Sequence, residues 1–273
     1  TRHSTLFPYT TLFRSSKTPD KGALWQSLAA AYFEMAKLQF AQERAESCRD
    51  WAGKAEAVAE QHLATGDRPV VRALRADVLR LLVLANDKLG DHVAALQYSE
   101  RLLPLSRLSG GGALLQDLVE LVGLAGQAGA ADKAMAAYAE AKTAAAALPS
   151  DMSREDRVET YSLLCWAALL AGVKTEALEY GQEAVALLAE EGPLPVRMNY
   201  AHAFLYGGRY AEAEAIYRSY LGQKFPDGRL SDDELRSDIA ILRRAGRDHP
   251  DLKKVEAILQ EPVSIRAGVA TPR

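Results

Sequence analysis

Cysteine is scarce in this sequence of 273 residues: Cys48 and Cys165 are the only two, and no C-x-x-C pair occurs. Two thiols in so long a chain exclude a disulfide framework, and without the pair a structural zinc site lacks its ligands. A surplus of one charge is also missing. The formal net charge is -3 and no run of like charge is long enough to form a tail, which excludes nucleic-acid binding by bulk electrostatics. No apolar run reaches the roughly 20 residues that a membrane helix takes. The longest, "LLCWAALLAGV" from Leu163 to Val173, reads as a buried helix. Catalytic signatures are lacking too. There is no H-E-x-x-H, and the Gly-rich "SGGGALL" at 109–115 lacks the Lys-Ser/Thr of a phosphate loop, so it reads as a connection between helices.

What is present is helical. Hydrophobic residues make up 48% of the chain, ordinary for a globular protein. From about Gly22 onward strong helix formers dominate, and apolar residues recur at spacings of three and four, as in "VVRALRADVLRLLVLANDKLG". No segment sustains the period-two alternation of a strand. Gly and Pro punctuate the chain at "TGDRP", "LSGGG", "LPSD", "EEGPLP" and "KFPDG". A finer punctuation falls between these breaks. Gly90, Gly129, Gly172 and Gly208 lie 39, 43 and 36 residues apart, the period of a helix-turn-helix repeat. Five residues after each glycine stands an alanine: Ala95, Ala134, Ala177 and Ala213. Seven before stand Val83, Val122, Cys165 and Ala201, and eight before stand the larger Leu82, Leu121, Leu164 and Tyr200. Two antiparallel helices approach to 8–10 Å only where small side chains face each other, and a glycine at the turn supplies the left-handed residue that ends the first helix.

These residues resemble the tetratricopeptide repeat, most closely at "GRYAEAEAIYRSYL" and "GVKTEALEYGQEAV". A degenerate earlier unit has Ala36 and Cys48 at its small positions and Glu43 where glycine is expected. The resemblance covers roughly residues 24 to 222 and implies an all-α, right-handed α-solenoid of about five helix pairs. The expected organisation is a helical-repeat region over 16–228, capping helices over 229–261 and a frayed tail over 262–273. In the cap, Ser231 is the candidate N-cap residue, with Glu234 completing a capping box.

The first residues do not fit this pattern. "TLFPYTTLFRS", Thr5 to Ser15, is similar to the translation of a widely used short-read sequencing adapter, residue for residue. Residues 1–15 are therefore expected to be a disordered artefact, with native sequence starting near Ser16 and further sequence lost upstream.

No catalytic constellation stands out, and a non-catalytic chain without cofactor or metal is expected. Cys165 with His202 could form a nucleophile pair, but a small residue at the close-packing position is the simpler account of Cys165. The resemblance implies that first helices line a concave groove that binds a protein or peptide segment. The inward positions lie three, six and ten residues before each turn glycine. They give Arg80, Leu84 and Asp87; Val119, Gly123 and Gly126; Ser162, Trp166 and Leu169; and Met198, His202 and Leu205. The degenerate unit adds Phe33, Lys37 and Phe40. Aromatic residues in such a groove anchor partners; the alternative for Trp166 and Phe40 is packing against a neighbouring repeat. The family's Lys, Asn and Arg clamp for C-terminal carboxylates is absent from these positions. The expected partner is thus a protein or peptide, with no nucleic acid and no membrane, and with the oligomeric state open. A second expectation, by family analogy, is the sensor or assembly arm of a larger bacterial enzyme, a caspase-like peptidase or a nucleotide-switch ATPase. The lack of disulfide staples points to the cytoplasm, although a lost N-terminus could have carried a signal or a membrane span.

Overall fold

The computed structural model describes residues 21–63, 68–188, 193–224 and 228–261. The adapter-like stretch at 5–15 and the tail at 262–273 lie outside them. The described chain is an α-solenoid of consecutive helices: α1 (Lys21–Ala41), α2 (Ala45–Leu63), α3 (Pro69–Lys88), α4 (His92–Ser109), α5 (Gly111–Gln127), α6 (Ala131–Ala146), α7 (Arg154–Ala171), α8 (Lys174–Ala186), α9 (Leu194–Tyr206), α10 (Tyr210–Tyr220), α11 (Ser231–Arg244) and α12 (Leu252–Gln260). Among the described residues there is no β-strand, only an isolated antiparallel bridge between Lys224 and Leu230.

The helices form two compact units, whose described parts run over 21–91 and 92–261. The boundary falls at the Gly90 turn, inside the stretch expected to be a single repeat array. In the first unit α1 packs on α2, α2 on α3, and α1 also touches α3. In the second, α4 packs on α5, and α5/α6, α7/α8 and α9/α10 form hairpins stacked in chain order.

One local device ends six helices. A residue at the helix C-cap or just after it takes a left-handed backbone: Glu43 (φ 59°), Gly90 (75°), Gly129 (73°), Gly172 (81°), Gly208 (78°) and Gly246 (73°). The following amide then reaches back five residues. Arg44 donates to the Gln39 carbonyl at 2.9 Å, Asp91 to Asn86 at 2.9 Å and Ala130 to Ala125 at 2.7 Å. Val173 donates to Ala168 at 2.8 Å, Arg209 to Phe204 at 2.9 Å and Arg247 to Leu242 at 2.8 Å. This is the Schellman closure, which satisfies carbonyls the helix leaves unpaired. Glu43 therefore makes the glycine turn without being glycine. A left-handed residue with a Cβ costs about 1 kcal/mol or more. Glu43→Gly is expected to stabilise the first unit by about 1 kcal/mol. Urea unfolding followed by Trp51, whose ring lies 5.7 Å from Tyr32 of α1, would show the midpoint rise. A lowered midpoint would mean that the Glu43 side chain contributes more than its backbone strain costs.

The repeated small residues sit where close packing requires them. Ala95, Ala134, Ala177 and Ala213 are all fully buried, as are Val83, Val122, Cys165 and Ala201. In the second unit the even-numbered helices are also laddered by ion pairs: Lys133 with Glu100, Arg107 with Glu140 at 2.7 Å and Lys142 with Glu176 at 2.7 Å. These pairs are half exposed, worth at most about 1 kcal/mol each, and they align neighbouring pairs more than they hold them.

Two helix starts differ from expectation or add to it. Ser231 does not cap α11. It is the first helical residue, its hydroxyl donates to the Tyr220 carbonyl at 2.5 Å, and Glu234 pairs with Arg229. The last carbonyl of α10 competes for the hydroxyl and wins it. At α7 a side-chain cap does form: the Asp156 amide donates to the Ser153 hydroxyl at 3.0 Å.

Candidate partner-binding face

Residues at spacings of three and four on a helix share one face, so each odd-numbered helix offers a short stripe. In the first unit α1 supplies Phe33, Lys37 and Phe40, and α3 supplies Arg80, Leu84 and Asp87. Lys37 and Leu84 are exposed; Phe33, Phe40, Arg80 and Asp87 are half-buried. Cations lie against both rings. The Lys37 ammonium is 5.0 Å from the Phe33 centroid, and Lys88 of α3 reaches to 5.6 Å from Phe40. Arg80 is held by Asp77 at 3.1 Å. The structure thus brings six of the proposed groove residues onto two touching helices and adds Lys88, which the spacing rule had not picked out.

The equivalent face of the second unit is different. Met198, His202 and Leu205, expected to line an open groove on α9, are buried, and so is Ser162 on α7. The covering element is the chain itself. His202 sits under α11, its Nε2 3.2 Å from Oδ2 of Asp238. Farther along α11, a Cβ placed on Gly126 of α5 would lie 3.0 Å from that of Ala245. Nε of Arg244 donates to the Gln127 side chain at 2.8 Å, and Nε of Arg247 donates to the Leu170 carbonyl at 2.9 Å. The Tyr206 hydroxyl of α9 donates to the Arg247 carbonyl, and its ring packs 5.4 Å from His249. α11 and the loop after it therefore lie along α5, α7 and α9, while α12 packs on α10 and α11. The open groove expected at these residues is filled, because an amphipathic helix following the repeats meets an apolar face within reach.

His202 anchors this arrangement. Its Nδ1 lies 2.8 Å from the Tyr217 hydroxyl of α10, and its ring is 6.0 Å from that of Trp166, which is half-buried. Burial, with Asp238 adding to it, holds the Tyr217 phenol well above its ordinary pKa. It therefore stays neutral and donates to Nδ1, which leaves Nε2–H to donate to the carboxylate. This tautomer satisfies all three groups. The Tyr206 phenol is pushed up to about 12, mainly by burial and then by Asp248.

Cys165 does not pair with His202. Its thiol is fully buried and donates to the Asn199 carbonyl at 3.5 Å, and burial raises its pKa. A thiol held protonated is not a nucleophile. Asn199 also donates to the Ser162 hydroxyl at 3.0 Å, which ties α9 to α7. Beside this bond a cleft of about 620 Å³ opens between α7, α8 and the start of α9, lined by Val158, Leu163, Leu187, Pro195 and Val196. Among the described residues no three His, Cys, Asp or Glu side chains are placed to hold a metal ion, and no helix is long and apolar enough to cross a membrane.

Sequence reasoning missed Asp238, Arg244 and Arg247, all from the segment after the repeats. The signal that could have found their place was Gly126 on the expected inward face of α5, which meets Ala245 just after α11. Glycine in a helix interior costs about 1 kcal/mol, and it earns its place where another backbone comes close.

No family model and no curated protein matches the chain. Among solved structures it is similar to the crystal structure of BtubC (BKLC) from P. vanneervenii, at 17% identity over 86% of this chain and 95% of that one, with a TM-score of 0.45.

Proposed function

We propose that the chain is a non-catalytic protein-binding scaffold of the tetratricopeptide-repeat kind, with the α1/α3 face of its first unit as the receptor surface. The observation that carries this reading is α11: the equivalent face in the second unit already holds a helix, docked through Gly126, His202 and the Leu170 carbonyl. A face built on the same register in the first unit is suited to a helical segment from a partner. Phe33 and Phe40 offer aromatic anchors, and Lys37 and Lys88 lie over them. These features fit an amphipathic segment with acidic residues beside its apolar ones. Free, buried thiols at Cys48 and Cys165 accord with a cytoplasmic setting.

Display of a random peptide library against the whole chain tests this. One class of amphipathic peptides is expected to be enriched, and Phe40→Ala is expected to weaken its binding about thirty-fold, the worth of one aromatic anchor. Trp166→Ala is expected to leave that affinity unchanged. Enriched peptides indifferent to Phe33, Phe40 and Lys37, or no enriched class, would contradict the assignment.

A further inference from the structure

The cleft between α7, α8 and the start of α9 has a counterpart one repeat earlier, and the two are not built alike. The earlier one, of about 430 Å³, lies between α5, the end of α6 and the start of α7. The later one, of about 620 Å³, adjoins it, since Glu159 and Leu163 line both. Thirteen residues before their turn glycines, α5, α7 and α9 carry Gln116, Glu159 and Pro195. Gln116 donates to Glu159 at 3.0 Å, which links the two odd-numbered helices that wall the earlier cleft. The next step of that ladder would join Glu159 to Pro195, whose side chain has no polar atom, so the later cleft has no such link. Nine and ten residues before the turns, Leu163 and Val119 of the earlier cleft's helices become Asn199 and Ser162. Nδ2 of Asn199 donates to the Ser162 carbonyl at 3.3 Å and to its hydroxyl at 3.0 Å. That fixes the amide and leaves Oδ1 an acceptor without a partner among the described residues. Val158, Leu188 and Val196 pack together and give the cleft an apolar floor. Glu155 and Glu159, one helical turn apart and both exposed, stand at its mouth. Arg154 lines it too, but its Nε donates to the Leu187 carbonyl and so caps the end of α8.

We propose that this cleft binds an extended segment of a partner protein in which basic and large apolar residues alternate. Its volume lies in the range of sites that take small ligands, about 300–1,000 Å³. Continuity with the earlier cleft suits an elongated occupant over a compact one. Charge decides the sign: two carboxylates at the mouth attract Lys or Arg and repel an acidic segment. Spacing decides the form. On a helix, carboxylates four residues apart project from Cβ atoms about 5–6 Å apart. In an extended chain, side chains two residues apart share a side and are about 6.5–7 Å apart, while those between point the other way. A basic residue at every second position therefore meets Glu155 and Glu159, and the intervening apolar residues meet Val158, Leu188 and Val196. Oδ1 of Asn199 is placed to accept a backbone N–H of such a segment. The α1/α3 face, with Lys37 and Lys88 over its rings, favours the opposite charge, so one segment does not serve both surfaces.

Methyl-resolved NMR titration of the full chain with the end-blocked hexapeptide KLKFKL, and with its acidic counterpart ELEFEL, tests this. KLKFKL is expected to shift the methyl signals of Val158, Leu188 and Val196, with a dissociation constant of about 10–100 micromolar, and to leave those of Val70 and Leu84 in place. ELEFEL is expected to bind at least ten-fold more weakly. The double variant Glu155→Lys with Glu159→Lys is expected to reverse that preference with unchanged circular dichroism, because both positions are exposed. Glu46→Lys, an equal change of charge on α2, is expected to leave both affinities unaltered. The single variant Glu155→Gln, which keeps the size of the side chain, is expected to weaken KLKFKL about three-fold, so the proposal stays testable if the double variant does not fold. Absence of shifts at millimolar KLKFKL overturns the proposal, as do shifts confined to other methyls, equal affinity for the two peptides, or a preference that the lysine variants leave intact. None of these residues belongs to the α1/α3 face, so failure here would leave that assignment standing.

Discussion

His202→Ala is expected to destabilise the second unit by about 2–4 kcal/mol and to release α11 from the odd-helix face. The imidazole is fully buried and engages both nitrogens, with the Tyr217 hydroxyl at 2.8 Å and Asp238 at 3.2 Å. Truncation removes both partners at once. It leaves a fully buried phenol without an acceptor and a carboxylate without its donor, and it opens a cavity beside Trp166. Leaving a buried hydrogen-bonding group without its partner costs about 1–3 kcal/mol, and more where that group is a carboxylate. The Asp238 side chain is 15% exposed, so water recovers part of that. Hydrogen exchange provides the measurement: amides of α11 are expected to lose protection while those of α1 to α3 keep theirs. Asp238→Asn, which retains an acceptor for Nε2–H, is expected to cost far less. A loss under about 1 kcal/mol with α11 still protected would show that its apolar residues, Leu235, Ile239 and Leu242, hold it without the histidine.

The hairpins were legible in the sequence because everything that specifies them is local. A glycine, an alanine five residues on and a small-large pair seven and eight residues back describe one turn and the two helices it joins. The same locality explains Glu43. Its φ of 59° is the glycine conformation imposed by neighbours, Gln39 and Arg44, that close the same hydrogen bond. The site was less legible, since its decisive contacts join residues far apart. The periodicity of Leu235, Ile239 and Leu242 says that one face of α11 is buried, but not against what. Its docking partners include Gln127, 117 residues before Arg244, and Leu170, 77 before Arg247. No spacing rule spans such separations. His202 lies on the stripe of α9 that the spacing marks, yet its burial depends on an element the repeat pattern does not contain. The α1/α3 stripe could be read from spacing alone; the ammonium of Lys88 over Phe40 needed coordinates.

Gly181→Leu is expected to destabilise the second unit by about 3 kcal/mol or more, the upper range of overpacking. Gly181 lies in α8 where that helix is pressed between two others. A Cβ there would meet Cδ2 of Tyr200 at 2.7 Å and its Cα at 3.4 Å on the α9 side, and Sγ of Cys165 at 3.3 Å on the α7 side. Neither obstacle is the free end of a flexible chain: Tyr200 presents ring and backbone, and Cys165 is fully buried. The intrinsic gain from replacing a helical glycine, about 1 kcal/mol, is too small to offset this. Gly53 in α2 supplies the control, because nothing lies within 4 Å of its Cβ position. Gly53→Ala is expected to stabilise by about 1 kcal/mol, while Gly181→Ala gains nothing or loses. Repeat arrays unfold in parts, so each unit needs its own probe: Trp51 for the first and Trp166 for the second. If leucine were tolerated equally at both glycines, contact between α8 and its neighbours would be looser than the 2.7 Å approach requires, and small residues would not be what sets the stacking distance in this solenoid.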